Sequence, residues 1–433
     1  MKKKVVNIAI IGLGNIGSYL YRYIEKNISI IKKKTNVTPN ILFVSAKNYK
    51  KKRSLNIPKK MWLKNYLDAT TNKNIDIIIE LIGGAEGPAK KLVFSALKNK
   101  KHVITANKAL IAKHGDQLAK IAENNKVNLE YEAAVCGGVP IIRSLKEGLI
   151  ANKINRVHGI FNGTSNFVLS SMEKKLISFN EALTNAKKLG YAESNPLSDL
   201  NGDDVASKLK IISALCFNTF ISKDINIEGI KNISKRDIIN ANILGYKIKL
   251  LGFAEKIGNK LYQRVHPTFV DKKSYIASVE GVLNAVIIDG EPVGKNVIQG
   301  EGAGPAPTTS ALISDLSSIL RGNIKYPFNI SNKERRKINT DSIFNLFFSS
   351  YIRLEVRDVQ GVLSNITKIF AKNKVSIKRL IQNPNKNKKQ ASIIIITHKS
   401  KDLLLNNTLK QISKNKYIIK KPILIRIESG QWV

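Results

Sequence analysis

The sequence is short of acid. Against 72 lysines and arginines it sets only 32 aspartates and glutamates, a formal charge of +40 at pH 7 over 433 residues. Cysteine is scarcer still. Cys136 and Cys216 are the only two, too few for a disulfide framework and without the CxxC spacing of a metal knuckle. No apolar span reaches the roughly 18 residues of a membrane-crossing helix. Lys2 to Lys4 precede only the short run Val5 to Ile11, too brief for the core of a secretory leader. The five histidines (His102, His114, His158, His266 and His398) show no HExxH or paired spacing, so a zinc site is not expected. The expected setting is the cytoplasm, with no membrane contact. At this length two or three domains with substantial cores are expected.

A strongly basic chain invites a nucleic-acid partner. Here the lysines are scattered along the whole length and accompanied by abundant Asn and Ile, the composition of coding sequence that has drifted toward A and T. No basic motif is interleaved with aromatics in the manner of a nucleic-acid module. Salt-sensitive sticking to polyanions is expected, and a specific nucleic-acid partner is not.

What is present begins almost at the first residue. The apolar run Val5 to Ile11 leads into Gly12-Leu13-Gly14-Asn15-Ile16-Gly17, and a helical pattern follows from Asn15 to about Ile31. In G-x-G-x-x-G the first glycine allows a tight turn out of a strand. The second admits a pyrophosphate close to the backbone, and the third lets helix pack on strand. The helix N-terminus then offers free N–H groups to the phosphates. Further apolar runs at 41–45, 75–82 and 103–106, separated by helix-like segments, predict a doubly wound parallel sheet covered on both faces. Acid is again missing where it matters. The second strand ends Ser45-Ala46-Lys47-Asn48, followed by Lys50, Lys51, Lys52 and Arg53, with no carboxylate for a ribose 2′-hydroxyl. Cations there suit a 2′-phosphate and favour NADP over NAD. NAD stays open, because the same lysines also belong to the general excess.

Four segments in the middle of the chain carry more specific information. They are Glu80-Leu81-Ile82-Gly83-Gly84, Thr105-Ala106-Asn107-Lys108, the stretch from Glu132 to Pro140, and Leu189-Gly190-Tyr191-Ala192-Glu193 through Asp199 to Asp203-Asp204-Val205-Ala206-Ser207-Lys208. With the stretches from Gly159 to Asn166 and from Gly300 to Gly304, the chain over about residues 5 to 330 resembles homoserine dehydrogenases. The resemblance implies reversible NAD(P)H-dependent reduction of L-aspartate 4-semialdehyde to L-homoserine, a step toward threonine and methionine. Carried over residue by residue, it makes Lys208 the proton donor, Asp204 its partner near the substrate, and Lys108 a lysine at the junction of cofactor and active site. It places Glu193 on the substrate's amino group, with Asp199 and Asp204 beside it. Leu13, Asn15 and Ile16 join Gly12, Gly14, Gly17, Lys108, Gly190 and Gly302 as cofactor-contacting positions. A monovalent cation, sodium in the family, would be held largely by backbone carbonyls of Glu132, Val135, Gly137 and Val139. The family also implies a homodimer or homotetramer.

The chemistry has use for these residue types. Hydride delivered to an aldehyde carbon leaves negative charge on the oxygen, which a positioned ammonium can stabilise and protonate. Asp204 and Lys208 stand four apart in a helical pattern, so they share a face. The bland alternative is an exposed ion pair worth a few tenths of a kcal/mol, about 0.2–0.5. Four carboxylates (Glu193, Asp199, Asp203 and Asp204) within so basic a chain favour an ammonium-binding role. Cys136 carries the rival mechanism, a thiolate forming a thioester in the manner of semialdehyde dehydrogenases; a small buried cysteine is the reading preferred here.

Beyond residue 330 the character changes, after a last apolar stretch. Pro307-Thr308-Thr309-Ser310 opens an apolar helix from Ala311 to Leu320, expected to pack back on the nucleotide domain. Residues 331–345 are polar and basic and read as a linker. After them a half-buried strand (Tyr351 to Val356), a turn at Asp358-Val359-Gln360-Gly361 into a helix through Phe370, strands at 376–382 and 391–397 flanking a polar loop from Asn383 to Lys389, a helix at 403–414 and a strand at 423–427 give a β-α-β-β-α-β order. That order and turn resemble an ACT regulatory domain, with Gln360 where proline is usual. The resemblance implies amino-acid binding, with threonine as the natural effector; retention for assembly alone stays open. The expected fold class is therefore a Rossmann-type doubly wound α/β domain, an α+β catalytic and dimerisation domain, and a ferredoxin-like ACT domain. The expected boundaries are 1–140 completed by about 305–325, then 141–304, a linker at 331–345, and 346–433.

Overall fold

The computed structural model describes residues 4–222, 224–384 and 389–428. Most of the polar loop expected at Asn383 to Lys389, and residues 429–433 of the expected ACT span, lie outside them.

Strands β1 (Val5–Ile11), β2 (Thr38–Ser45), β3 (Ile77–Glu80), β4 (His102–Thr105) and β5 (Leu129–Glu130) form a parallel sheet in the order β2-β1-β3-β4-β5. β3 is buried at every position, as a strand covered by helices on both faces must be. Helices α1 (Asn15–Thr35), α2 (Pro88–Lys98) and α3 (Lys108–Asn124) follow β1, β3 and β4. α1 runs a full turn past the expected end near Ile31. Thr35 folds its hydroxyl back onto the Ile31 carbonyl, and Asn36 terminates the helix in the left-handed region at φ 60°. Three lysines in that last turn, Lys32 to Lys34, sit at the favourable end of the helix dipole. The polar lysine run hid the continuation.

The second sheet is mixed. β6 (Lys153–Ile160) leads into α4 (Gly163–Lys175), α5 (Phe179–Lys188), α6 (Leu197–Asn201) and α7 (Asp203–Cys216), and then into the long hairpin β7 (Tyr246–Ile257) and β8 (Lys260–Asp271). β9 (Leu283–Glu291) and β10 (Gly294–Glu301) complete its other side. The chain then returns as α8 (Pro305–Leu320), whose Leu312 and Leu316 share a buried cluster with Leu20, Ile24 and Ile79 of the first sheet and its helix.

After β11 (Asn339–Asp341), the last part runs β12 (Phe347–Arg357), α9 (Val362–Lys372), β13 (Ile377–Pro384), β14 (Gln390–Thr397), α10 (Asp402–Ser413) and β15 (Ile423–Glu428). This is the ACT-like βαββαβ unit, and it does not stand apart. β15 pairs in parallel with β8, Arg426 opposite Thr268, so the second sheet continues through the order β10-β9-β6-β7-β8-β15-β12-β14-β13.

The segment expected as a linker, 331–345, is packed against the catalytic part. Arg335 is 2 % exposed, its guanidinium donating to the Thr219 carbonyl and to Asp116 at 2.7 Å and lying over Phe328 and Phe220. Arg336 bridges Thr219, and β11 pairs with Lys260–Tyr262 of β8. Polar composition concealed packing because each buried charge has a partner and the arginine's flat face is covered by aromatic rings. Among the described residues, no helix is long and apolar enough to cross a membrane.

Candidate active site

Asp204 and Lys208 stand one turn apart on α7, facing inward. They are 4 % and 8 % exposed. Lys208 Nζ donates to Asp204 Oδ2 at 2.7 Å and to the Phe161 carbonyl, just past β6, at 2.7 Å. The other Asp204 oxygen receives Lys108 Nζ at 3.0 Å. Lys108 opens α3 directly after β4, its helix capped by the Asn107 side chain, which accepts the Leu110 N–H. One carboxylate therefore joins the first sheet to the second. Burial alone would raise the Asp204 carboxyl, but Lys208, Lys108 and Asn162 outweigh it and hold the group well below the usual carboxylate range. Burial would likewise lower Lys208, and Asp204 reverses that, keeping it above the ordinary lysine value. The outcome is an ammonium ion kept charged in a largely dry site. This is not the exposed i,i+4 pair of the bland reading.

Asp199 on α6 joins through Asn162, whose Nδ2 donates to Asp199 Oδ1 and to Asp204 Oδ2, each at 2.8 Å. Glu193 and Asp203 stay outside this cluster, both exposed. Gly190 is exposed at φ 74°. Its segment is tied to α4, because Thr164 donates to the Tyr191 carbonyl and Tyr191 packs on Phe167 with ring centroids 4.9 Å apart.

The glycines after β1 do different jobs. A Cβ on Gly12, at φ 114°, would stand 2.5 Å from the Leu81 carbonyl oxygen, and one on Gly17 would stand 2.2 Å from that of Gly12. A Cβ on Gly14 would meet nothing within 4 Å. The open space lies before the N-terminus of α1, whose first turn carries no acid, so the residues present fit a dinucleotide's pyrophosphate. Asn15 and Ile16 begin that helix. Leu13, Gly14, Lys47, Lys51, Arg53 and Lys64 are among those lining a cavity of about 600 Å³ here. Of the basic run expected to meet a 2′-phosphate, Lys51 and Arg53 line this cavity. Arg53 directs its donors to the carbonyls of Leu13, Asn48 and Lys51, so it fastens the loop, while Lys47, Lys51 and Lys64 are exposed charges on the rim.

Opposite, the Cys136 to Val139 turn packs against the loop after β10. Gly138 N–H donates to the Glu301 carbonyl at 2.9 Å, a Cβ on Gly137 would be 2.6 Å from the Gly302 carbonyl oxygen, and one on Gly302 would strike the Asn284 amide at 2.2 Å. Both Glu132 carboxylate oxygens accept backbone N–H groups, from Ile142 at 2.9 Å and Arg143 at 2.6 Å. Burial nonetheless pushes that carboxyl up to about 7. Among the described residues, no trio of His, Cys, Asp or Glu side chains is placed to hold a metal. Cys136 is 1 % exposed and burial pushes its thiol up to about 11, far from a thiolate nucleophile at neutral pH.

Three family models match in chain order. "Homoserine dehydrogenase, NAD binding domain" covers residues 12–132, "Homoserine dehydrogenase" covers 140–317, and "AHAS small subunit-like ACT domain" covers 352–420. The homoserine dehydrogenase of Neisseria gonorrhoeae is 36 % identical over 98 % of this chain and 99 % of its own. That of Bacillus subtilis is 32 % identical over 99 % and 100 %. A crystal structure of a homoserine dehydrogenase from Thiobacillus denitrificans superposes with a TM-score of 0.92 at 35 % identity, covering 99 % of each chain. The chain belongs to the homoserine dehydrogenase family. It is accordingly an NAD(P)-dependent oxidoreductase with an ACT-like domain after its catalytic part.

In this family member, three site residues had no role assigned from sequence. Asn162 lies in the Gly159 to Asn166 stretch, where an Asn between strand and helix signals only a cap. Glu80 is fully buried and accepts the N–H groups of Ile82 and Gly83 at 2.7 and 2.9 Å and the Thr105 hydroxyl at 2.5 Å. It shapes the loop against which Gly12 packs; an acid closing an isoleucine strand was the available clue. Lys64 joins the rim of the cavity beside the glycine loop and had no local signal.

Proposed function

We propose that this homoserine dehydrogenase reversibly reduces L-aspartate 4-semialdehyde to L-homoserine on the route to threonine and methionine, with NADPH preferred over NADH. The observation that carries the reading is the buried Lys208 ammonium, held at 2.7 Å by both Asp204 and the Phe161 carbonyl. The Gly12–Gly17 loop would hold NAD(P)H, which when bound would supply the hydride for the aldehyde carbon. Lys208 Nζ stabilises the charge growing on the carbonyl oxygen and gives it a proton, an effect of about 10²–10⁴ in rate for a positioned acid. Asp204 fixes the direction of that ammonium. Asp199 and Asp204, with Glu193 on the neighbouring segment, receive the substrate's own ammonium, and Lys108 closes the junction between substrate and cofactor. Gly190 and Gly302 would border the cofactor from the catalytic side.

Preference for NADPH rests on Lys47, Lys51 and Lys64 around a strand end without acid. A sodium ion fits hard oxygen donors: among the described residues, no donor occupies the carbonyls of Val135 or Gly137, while those of Glu132 and Val139 each accept one N–H. The working assembly in this proposal is a cytoplasmic homodimer or homotetramer, and the ACT-like domain binds threonine as an inhibitor. The deciding experiment follows NADPH and NADH absorbance with aspartate semialdehyde and identifies the product. Homoserine formed faster with NADPH supports the reading; no consumption of either nucleotide would sink it.

A further inference from the structure

Asn162 occupies an unusual place. It caps α4 by accepting the Ser165 N–H on Oδ1 at 2.8 Å, while its Nδ2 faces two carboxylates at once. Two oxygens each 2.8 Å from one nitrogen can be no farther apart than twice that distance. Carboxylates so close repel, and one of them ordinarily takes up a proton. The amide supplies two N–H donors and presents one to each, which stabilises both anions together. Asp204 has further cationic support from Lys208 and Lys108. Asp199 receives only this amide N–H among the described residues, on Oδ1, which leaves Oδ2 available to a ligand.

We propose that Asn162 is a positioning residue that holds Asp199 and Asp204 as a pair of anions at one spacing, creating the subsite for the substrate's α-ammonium. The inference rests on the proposed substrate. A neutral, compact N–H₂ group is required there. A hydroxyl is too short to span both partners with its single proton, and a third carboxylate would add repulsion. Asn162 acts on binding, because the proton donor Lys208 keeps its own contacts to Asp204 and Phe161 without it.

The test compares wild type, Asn162→Ser and Asn162→Asp as full-length enzymes, reading kcat, KM for aspartate semialdehyde, melting temperature and the pH dependence of kcat/KM. Serine and aspartate are both good helix caps, so each variant keeps the cap and loses the clamp. The expected result for Asn162→Ser is a KM about tenfold or more higher with kcat within about threefold, and an acid limb of kcat/KM moved up by about one pH unit. Asn162→Asp, which sets a third carboxylate against the other two and presents no pair of N–H donors, is expected to raise KM further than Asn162→Ser at neutral pH. Unchanged KM and acid limb in Asn162→Ser, or a collapse of kcat alone, would overturn the clamp while leaving the proposed reaction standing. Failure of wild type to reduce the semialdehyde would instead overturn the reaction, and the clamp with it.

Discussion

At the active site, one half-exposed ammonium, Lys108, set on one buried carboxylate, Asp204, forms the ion pair between the nucleotide-binding half and the catalytic half. Where the catalytic half meets the ACT-like half, the seam is crowded. Arg426 of β15 reaches Glu228 across the seam at 2.8 Å while gripping Asp402 of its own half at 2.8 Å. Arg264 of β8 joins Glu428 at 2.9 Å, and Arg353 of β12 joins Asp237 at 2.7 Å. Tyr351 donates to Asp237 and accepts from Asn240. Strand pairing of β8 with β15 runs through the middle. The contrast teaches that charge serves opposite ends. On one side a few ions leave room for ligands, and on the other paired ions lock a sheet together. The ACT-like half is thus a layer of the enzyme rather than a tethered appendage.

The crowded seam can be broken most severely at Arg426. Asp402 is fully buried beneath it, so Arg426→Ala leaves an uncompensated anion, and a loss of about 3–5 kcal/mol is expected in denaturant unfolding. A loss below about 1 kcal/mol would contradict the role given to Arg426 in holding the ACT-like half together at its seam. On the sparse side, the glycine loop separates folding from binding. Gly17→Ala forces a Cβ onto the Gly12 carbonyl and should lower the stability of the cofactor-free protein by about 1–3 kcal/mol. Gly14→Ala points into open space, so melting should hold while the NADPH Kd rises about tenfold or more. Equal effects of the two on melting would remove that distinction.

The ammonium can be tested with acid and base. Lys208 lies above its ordinary 10.5, so it stays protonated through neutral and alkaline solution. Reduction, which needs the proton, should hold its rate until pH exceeds that value. Oxidation of homoserine, which needs the neutral amine, should accelerate as pH rises. A reduction rate that falls near neutrality would assign the proton to another group. The smallest expected effect is at Cys136, where substitution by serine should leave turnover within about twofold, since the thiol is protonated and buried; abolished turnover in a folded variant would revive the thioester mechanism.

Much of this was legible from the chain. The G-x-G-x-x-G turn and the apolar runs foretold the parallel sheet because period and glycine placement are local. The six elements of the ACT-like unit fall within a few residues of their expected bounds for the same reason. The packed strap at 331–345 was not legible, since burial of Arg335 depends on Phe328, Phe220, Asp116 and Thr219, which no sequence pattern brings together. At the site, Lys208 and Asp204 could be paired by helical spacing, whereas the Phe161 carbonyl carries no side-chain signal at all. Lys64 came to the cavity beside the glycine loop by tertiary folding alone.

The most direct measurement is turnover of Lys208→Ala beside its NADPH affinity by fluorescence titration. Loss of at least about a hundredfold in the rate of semialdehyde reduction, with nucleotide binding intact, is the predicted result. Turnover close to wild type would show that this amine does not protonate the substrate.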